Sequence, residues 1–421
     1  MGKRPSISKR FWISLILSLT LITVTGSDSF SQTKLEKAAG SHTFSIFWWE
    51  IRHVPLKWTH LLWEMFPGNK PDDNERIDIV RSYLQAVNRL DKEIMKLRKP
   101  HLSAGYTSAA ADINVLSHVL ENIKAYEREK ESLRGRAEES VEAALSKTII
   151  EEGLGLRYGI LFPPTDFRFD EPPLILVTSP RDQIKLEASI LINNNIDSNT
   201  RSSIERKVEL DGRTSALIDN LAGLGTYPAL VSDRYGLREI TRTAAHEWLH
   251  NYWIFRPLGR SMWNSPEMYT LNETAANIAG NELGDRTFLK LGGDLSKSSH
   301  KYADVSVSRP HLSRILKQTR KEVDRLLSVN NIVDAEKLMR REHWNLKLGG
   351  YNIRKINQAY FAFRGNYADG PASTSQIGPE LNEFRDYFKT LGEFIEAISK
   401  IDSYHHFKLQ LDEKRDSTST K

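Results

Sequence analysis

Two histidines, His246 and His250, stand four residues apart in the segment His-Glu-Trp-Leu-His. On a helix this spacing places both side chains on one face, close enough to bind one zinc ion. Zinc lowers the pKa of a bound water to about 7, and a neighbouring carboxylate can take the proton as that water attacks a carbonyl. The segment therefore predicts a hydrolytic zinc site in which Glu247 is the general base.

A catalytic zinc site needs a third protein ligand and one open position. Glu273 lies 23 residues after His250, and a second helix packed against the first can bring its carboxylate to the metal. Asn277 follows on the same helix face, where its side chain could accept the other ring N–H of a histidine ligand. The predicted ligands of one zinc ion per chain are therefore His246, His250 and Glu273.

This arrangement resembles the motif of the gluzincins, the thermolysin-like and aminopeptidase-like zinc peptidases. Their HExxH is followed about twenty residues later, on a second helix, by Asn-Glu-x-x-x-Asp. Asn277 stands where the family often has aspartate, which implies a weaker, neutral acceptor. The match covers residues 242–285, about a tenth of the chain, and implies a gluzincin-like unit that hydrolyses peptide bonds. The residues that match one by one are His246, Glu247, His250, Asn272 and Glu273.

A second resemblance is to predicted aminopeptidases of the bacterial envelope. It rests on the same helices and on residues 356–367, which are similar to the Asn-Ala and Thr-Tyr segment of that family. The resemblance implies that Tyr367 approaches the zinc and donates to the developing oxyanion, where one donor is commonly worth about 2.7–4 kcal/mol. Alternatively, Tyr360 and Tyr367 are core aromatics with satisfied hydroxyls.

The segment before the metal motif predicts a binding surface for the substrate backbone. Residues 225–232 have the pattern of a strand, and Pro228 favours a sheet edge because proline cannot donate to a ladder. Gluzincins bind peptide backbone by strand addition at such an edge. An exopeptidase also needs carboxylates for the substrate's α-amine, and Glu239 and Glu267 are available, although their spacing does not select them.

The elements that must position these residues are mostly helical. Residues 72–151 have apolar side chains spaced by three and four, and Pro100 and Gly105 divide this stretch into a helical hairpin. A β-rich run at 174–178, with a partner at 184–192, predicts a small sheet. The predicted fold class is α+β and mainly α-helical, with a gluzincin-like catalytic unit, an edge strand before the HExxH helix and an N-terminal hairpin.

The first 26 residues predict export. They contain four cations and no acid, followed by an uncharged stretch at 11–25 and then small residues, which is the order of a secretory signal or, alternatively, of an uncleaved anchor. Four of the five net positive charges of the 421-residue chain lie here, so the remainder is nearly neutral and predicts no nucleic-acid partner. The absence of cysteine excludes disulfides and thiolate ligands. We expect the periplasm or the outer face of a bacterial cell membrane, or secretion.

A tryptophan-rich segment follows at residues 44–66. Its charges and Pro55 exclude a spanning helix, so it predicts either a segment on the membrane surface or helices docked on the core. Membrane association would use residues 11–25 or 44–66. The predicted organisation is a signal peptide or anchor (1–26), a linker and aromatic segment (27–71), a helical hairpin (72–160), a zinc-binding catalytic core (161–310), a C-terminal helical region (311–403) and a polar tail (404–421).

Two other functions compete with a peptidase acting on peptide or protein substrates. Glu247 and His250 also form Glu-x-x-His, and a second copy at residues 50–53 would suit a ferritin-like di-metal protein. That architecture needs a further glutamate from each of two other helices, and Pro55 spoils the helix of the second copy. The other alternative is a catalytically inactive zinc-containing binding protein. Glu247 favours catalysis because the motif does not use it as a ligand.

Overall fold

The computed structural model describes residues 33–49, 71–98, 109–156, 161–296 and 309–419. This part of the chain is mainly helical and contains two small three-stranded sheets, which confirms the predicted mainly α-helical α+β class. No helix in it combines the length and the apolar character that crossing a membrane requires. The predicted signal, residues 50–66 of the aromatic segment, and Pro100 and Gly105 lie outside the described residues.

A short 3₁₀ turn, Gly40–His42, follows the first helix. The helices are α1 (Lys34–Ala39), α2 (Asp73–Arg98), α3 (Ala109–Glu151), α4 (Ser198–Glu209), α5 (Leu237–Trp253), α6 (Pro257–Arg260), α7 (Pro266–Lys290), α8 (Arg309–Ser328), α9 (Ile332–Leu348), α10 (Gln358–Arg364), α11 (Ile377–Asp386), α12 (Leu391–Ser399) and α13 (Tyr404–Ser419). The strands are β1 (Phe167–Phe169), β2 (Leu174–Pro180), β3 (Ala188–Ile192), β4 (Thr214–Asn220), β5 (Gly223–Leu224) and β6 (Ala229–Val231).

Helices α2 and α3 occupy the region of the predicted hairpin and pack against each other. The apolar stripe of α2, which includes Val80 and Tyr83, is buried in a core that continues through α5 and α7 to the C-terminal helices. On α3, Glu138 and Glu142 accept the backbone N–H groups of Phe169 and Phe167, each at 2.8 Å. Because these buried carboxylates are hydrogen-bonded, they fix β1 on the hairpin instead of destabilising it.

The first sheet has the strand order β3-β2-β4 and is antiparallel throughout. Leu176 of β2 lies opposite Ile190 of β3 and Ile218 of β4. The predicted pairing of 174–178 with a partner in 184–192 is therefore confirmed. Strand β2 is central in this order. Its side chains are largely apolar on both faces and are buried where the sheet packs against α4 and α10.

The second sheet corrects the predicted edge strand. Its order is β1-β6-β5, so the strand observed within 225–232 is the interior strand β6, parallel to β1 and antiparallel to β5. Pro228 precedes the first paired residue, Ala229, and removes no hydrogen bond from the ladder. The edge strand nearest the HExxH helix is the two-residue β5, which the sequence pattern is too short to show.

The predicted polar tail at 404–421 is also corrected, because residues 404–419 form helix α13. Phe407 and Leu411 are one helical turn apart and both are fully buried. The ring of Phe407 packs edge-on against Phe384 at 5.4 Å between centroids. Arg415 adds an ion pair to Glu383 at 2.7 Å. Two apolar residues at helical spacing are therefore enough to dock this otherwise polar helix.

Candidate metal centre

Helix α5 carries the two histidines on the face opposite its anchor. Trp248 and Leu249 are buried in the core, and the indole N–H of Trp248 donates to the carbonyl of Pro163 at 2.9 Å. His246 and His250 lie on the other side and are half-buried. Their spacing of one helical turn places the rings edge to face, with centroids 4.7 Å apart. The buried side thus fixes the direction in which the histidines point.

Helix α7 meets α5 unusually closely, which brings Glu273 to the histidines. A Cβ atom added at Gly284 would lie 2.4 Å from the Cα of Arg242, and one at Gly280 would lie 3.0 Å from the Cα of His246. Glycine is therefore required where the two backbones approach. Farther along, Asp285 accepts paired hydrogen bonds from the guanidinium groups of Arg238 and Arg242 at 2.7–2.9 Å. Close packing and this ion-pair clamp together set the position of α7.

Three side chains converge at this contact and form a group that could hold a metal ion. The Nε2 atoms of His246 and His250 are 3.0 Å apart, and they lie 3.6 and 3.7 Å from Oε2 of Glu273. Ligand atoms about 2.0–2.2 Å from one tetrahedral zinc would be about 3.3–3.6 Å apart. The three predicted ligands thus fit a single ion.

Glu247 lies beside this group but faces the edge strand β5. The residue is 7% exposed. A Cβ atom at Gly223 would lie 2.4 Å from its Oε1, and one at Gly225 would lie 3.4 Å from its Oε2, so the glycines leave the space that the carboxylate occupies. Burial raises the pKa of Glu247 to about 7, with a further contribution from the charge of Glu273 and an opposing one from His246. A carboxylate with this pKa can both take and release a proton near neutral pH.

The surroundings of His250 and Glu273 favour the protonation states that metal ligands need, whereas the pKa of His246 is raised. Burial lowers the pKa of His250 to about 4, against the charge of Glu273. Burial acts to raise the pKa of Glu273, but the charge of His250 and hydrogen bonds with His246 and Tyr367 outweigh it and hold that pKa below its usual value. His250 is therefore neutral and Glu273 ionised at neutral pH, as coordination requires.

Two tyrosines flank Glu273. Tyr367 hydrogen-bonds with Glu273, and burial together with that carboxylate's charge raises its pKa well above the usual value, so its hydroxyl keeps its proton. Tyr269, one turn before Glu273 on α7, also hydrogen-bonds with Glu273, and burial raises its pKa in the same way. Sequence reasoning missed Tyr269, although its spacing from Glu273 was a usable signal. Tyr360 instead packs in a core cluster beside Phe361.

The polar residues behind the histidines differ from the predicted arrangement. The side chain of Asn272 is almost fully buried, its amide nitrogen donates to the carbonyl of Leu258 at 3.4 Å, and it acts to raise the pKa of His250 against the effect of burial. Asn277 donates its amide to Oδ1 of Asp369 at 3.2 Å. Burial acts to lower the pKa of His246, but the hydrogen bond with Glu273 and the charges of Glu247 and Glu273 outweigh it and raise that pKa, and the charge of Asp369 adds to the rise. Asp369 belongs to the loop after α10, and no local pattern connects it with the motif. It supplies a carboxylate on the side where Asn277 replaces the aspartate of the resembled motif.

A cavity of about 260 Å³ opens in front of His246 and Glu247. It is lined by β5 and the residues before it, by α5, and by Arg364 and Tyr367. Glu239, one of the two carboxylates considered for the substrate amine, lines this cavity. Glu267, the other, lines a separate cavity of about 640 Å³ on the side of Tyr269. The structure therefore brings Glu239 to the metal group and leaves Glu267 apart from it.

No protein-family model, curated protein or solved structure matches the chain. The likeness to gluzincins consequently rests on the matched motif residues, and the site on its own geometry. Among the described residues, His246, His250 and Glu273 are the one group of three or more metal-binding side chains close enough to hold an ion. The second Glu-x-x-His copy, at residues 50–53, lies outside the described part of the chain.

Proposed function

We propose that this protein is a zinc-dependent peptidase, exported to the bacterial envelope, that holds one zinc ion with His246, His250 and Glu273. The observation that supports this most strongly is the convergence of the three ligand atoms beside a buried glutamate that is not itself in the ligand group. A set of two histidines and one carboxylate suits catalytic zinc, which keeps one position open. A purely structural zinc site does not need Glu247.

The chemistry divides between the metal and the chain. Zinc, when bound, supplies an activated water and polarises the carbonyl of the scissile bond. Glu247, which lies beside the ligand group and is buried, accepts a proton as general base and returns it to the leaving amine. The Tyr367 hydroxyl stays protonated, and once it turns from Glu273 it donates a hydrogen bond to the developing oxyanion. Tyr269 helps to hold Glu273 in place through its hydrogen bond, and the buried Asn272 precedes Glu273 on the same helix.

The same cavity has the features that an aminopeptidase-like enzyme needs. Strand β5 is the edge of its sheet and lies over Glu247, so an extended substrate can add to it with backbone hydrogen bonds. Glu239 lies in the same cavity, with its side chain 42% exposed and 3.5 Å from Arg242. We assign Glu239 to bind the α-amine of the substrate, because a partly exposed carboxylate can accept an ammonium group.

The test compares the purified full chain with the Glu247→Gln variant, using a mixed peptide library and metal analysis of both proteins. We expect one zinc per chain in each protein and a loss of turnover of about 10²–10⁴-fold in the variant. Glu127→Gln, an exposed glutamate on α3, is the matched control and should keep full turnover.

Each other outcome removes a different part of the proposal. Purified protein without bound zinc would contradict the proposed zinc site. Zinc with equal turnover in wild type and Glu247→Gln would remove the assigned base. Zinc without turnover in either protein would favour the alternative of an inactive zinc-containing binding protein.

A further inference from the structure

A second cavity of about 580 Å³ adjoins the site on the far side of Tyr367. The two cavities have Asn220, Arg364 and Tyr367 in common, so they meet across these side chains. Tyr367 also hydrogen-bonds with the proposed zinc ligand Glu273. Both volumes are of the order of ordinary small-molecule pockets, which hold about 300–1,000 Å³. The two cavities are therefore neighbours, and a ligand that occupies both must pass between these shared side chains.

The lining of this second cavity is strongly cationic. Four cations, Arg201, Arg354, Lys355 and Arg364, face it together with one carboxylate, Asp219. Three of the four cations are neutralised by pairs. Arg364 binds Asp219 at 2.7 Å, Lys355 binds Glu209 at 2.9 Å, and Arg354 binds Glu205.

Among the described residues, Arg201 forms no ion pair, and the carboxylates of Asp219, Glu171 and Glu205 act on it only at longer range. The hydrogen bond that the structure gives its guanidinium goes to the neutral side-chain oxygen of Asn220, at 3.2 Å. Its Nε is buried and has no hydrogen-bond partner in the described part of the chain. Burial lowers the pKa of Arg201 and the like charge of Arg354 lowers it further, and the more distant carboxylates Asp219, Glu171 and Glu205 offset this only in part. A half-buried guanidinium next to a second one is costly unless an anion completes the site.

We infer that this cavity binds the C-terminal carboxylate of a short peptide substrate through Arg201. The inference rests on the proposed function and adds the substrate class. The planar guanidinium group matches a carboxylate with two parallel hydrogen bonds. With the α-amine at Glu239 in one cavity and the carboxylate at Arg201 in the other, the combined space selects peptides of a few residues with both ends free.

The test measures binding to the zinc-loaded full chain by calorimetry, in the Glu247→Gln background so that the probe is not consumed. The probes are trialanine with a free carboxylate and trialanine amide. We expect the acid to bind about ten- to a hundredfold more tightly than the amide, as for a hydrogen-bonded charged group. Arg201→Gln should abolish this preference, and Arg201→Lys should retain part of it. Arg206→Gln, an exposed cation on the same helix, should leave the preference intact.

Equal binding of acid and amide, or an unchanged preference in a folded Arg201→Gln protein, would overturn the inference. Ala-Ala-Asp amide tests whether a side-chain carboxylate is the anion instead. Binding of this probe as tight as that of the free acid would contradict recognition of the C-terminus.

The binding assay does not depend on turnover, so the two proposals fail separately. The protein could show an Arg201-dependent preference for the acid and hydrolyse no peptide. That result would support the carboxylate pocket and contradict the peptidase activity. Hydrolysis without any preference for the acid would keep the peptidase and remove the pocket.

Discussion

The two helix pairs at the centre of the molecule are built differently. Helices α2 and α3 pair through an apolar stripe and leave most of their charged residues outside, as in the exposed ion pair Arg136–Glu75, while a few carboxylates such as Glu138 are buried and hydrogen-bonded. Helix α7 is buried along most of its length, and it meets α5 through glycines and the partly buried Asp285 clamp. The α2–α3 pair depends on the burial of apolar surface, whereas the α5–α7 pair depends on fixed backbone and side-chain positions. A metal centre requires the second kind, because a shift of about 1 Å separates its ligands.

After the loss of Glu247, the largest expected effect comes from Tyr367→Phe, compared with Tyr83→Phe in the hairpin. Tyr367 is assigned as the oxyanion donor, so its loss should lower kcat by about 10²–10³-fold with little change in zinc content. Tyr83 donates to Asp233 at 2.5 Å within the core, and its variant should lose stability and keep its kcat. Steady-state kinetics and urea unfolding of both variants check this. Equal kcat in Tyr367→Phe and wild type would refute the assignment.

Gly284→Ala tests the close approach of α5 and α7. The new Cβ would collide with the backbone of Arg242, so the helices must separate. We expect a loss of about 1–3 kcal/mol in the free energy of unfolding, together with weaker zinc binding. Gly236→Ala has open space around the new Cβ and is the control. A Gly284→Ala protein with wild-type stability and zinc affinity would show that the glycine contact does not position the ligands.

Asp285→Asn tests the ion-pair clamp against the exposed pairs of the hairpin. Asp285 binds two arginines in paired geometry, and we expect its loss to cost about 1–2 kcal/mol in the free energy of unfolding. Asp73 pairs with Lys147 on the surface, and Asp73→Asn should lower the free energy of unfolding by less than about 0.5 kcal/mol. Urea unfolding of both proteins gives the comparison. Equal costs would mean that the clamp is an ordinary surface pair.

The clamp should also show a specific pH dependence. Burial acts to raise the pKa of Asp285, but its hydrogen bonds and ion pairs with Arg238 and Arg242 outweigh this and lower the pKa from 3.8 to about 2. The clamp therefore stabilises the fold fully above pH 3.8 and loses its contribution as the pH falls through 2. The stability difference between wild type and Asp285→Asn should shrink over that window. A constant difference would contradict the pKa shift.

The parts of the site that sequence reasoning predicted are those with local spacing. The histidine pair is fixed by helix geometry, and Glu273 follows from a motif on one further helix. Tyr269 has a local signal as well, since it lies four residues before Glu273. Asp369 and the edge strand β5 have none, because long-range packing brings them to the site and two residues are too few for a strand pattern. Helix α13 likewise depends on long-range packing, because Phe407 is buried against another helix and the surrounding sequence is polar.

The most direct test of the metal centre is calorimetric titration of metal-free full chain with zinc, comparing wild type with Glu273→Ala. We predict one ion per wild-type chain. In the variant we predict zinc binding at least about tenfold weaker, because one of the three proposed ligands is lost. His405→Ala, whose histidine lies in α13 away from the group, should bind zinc as wild type does. Wild-type protein that binds no zinc, or a Glu273→Ala protein with unchanged affinity, would contradict the account.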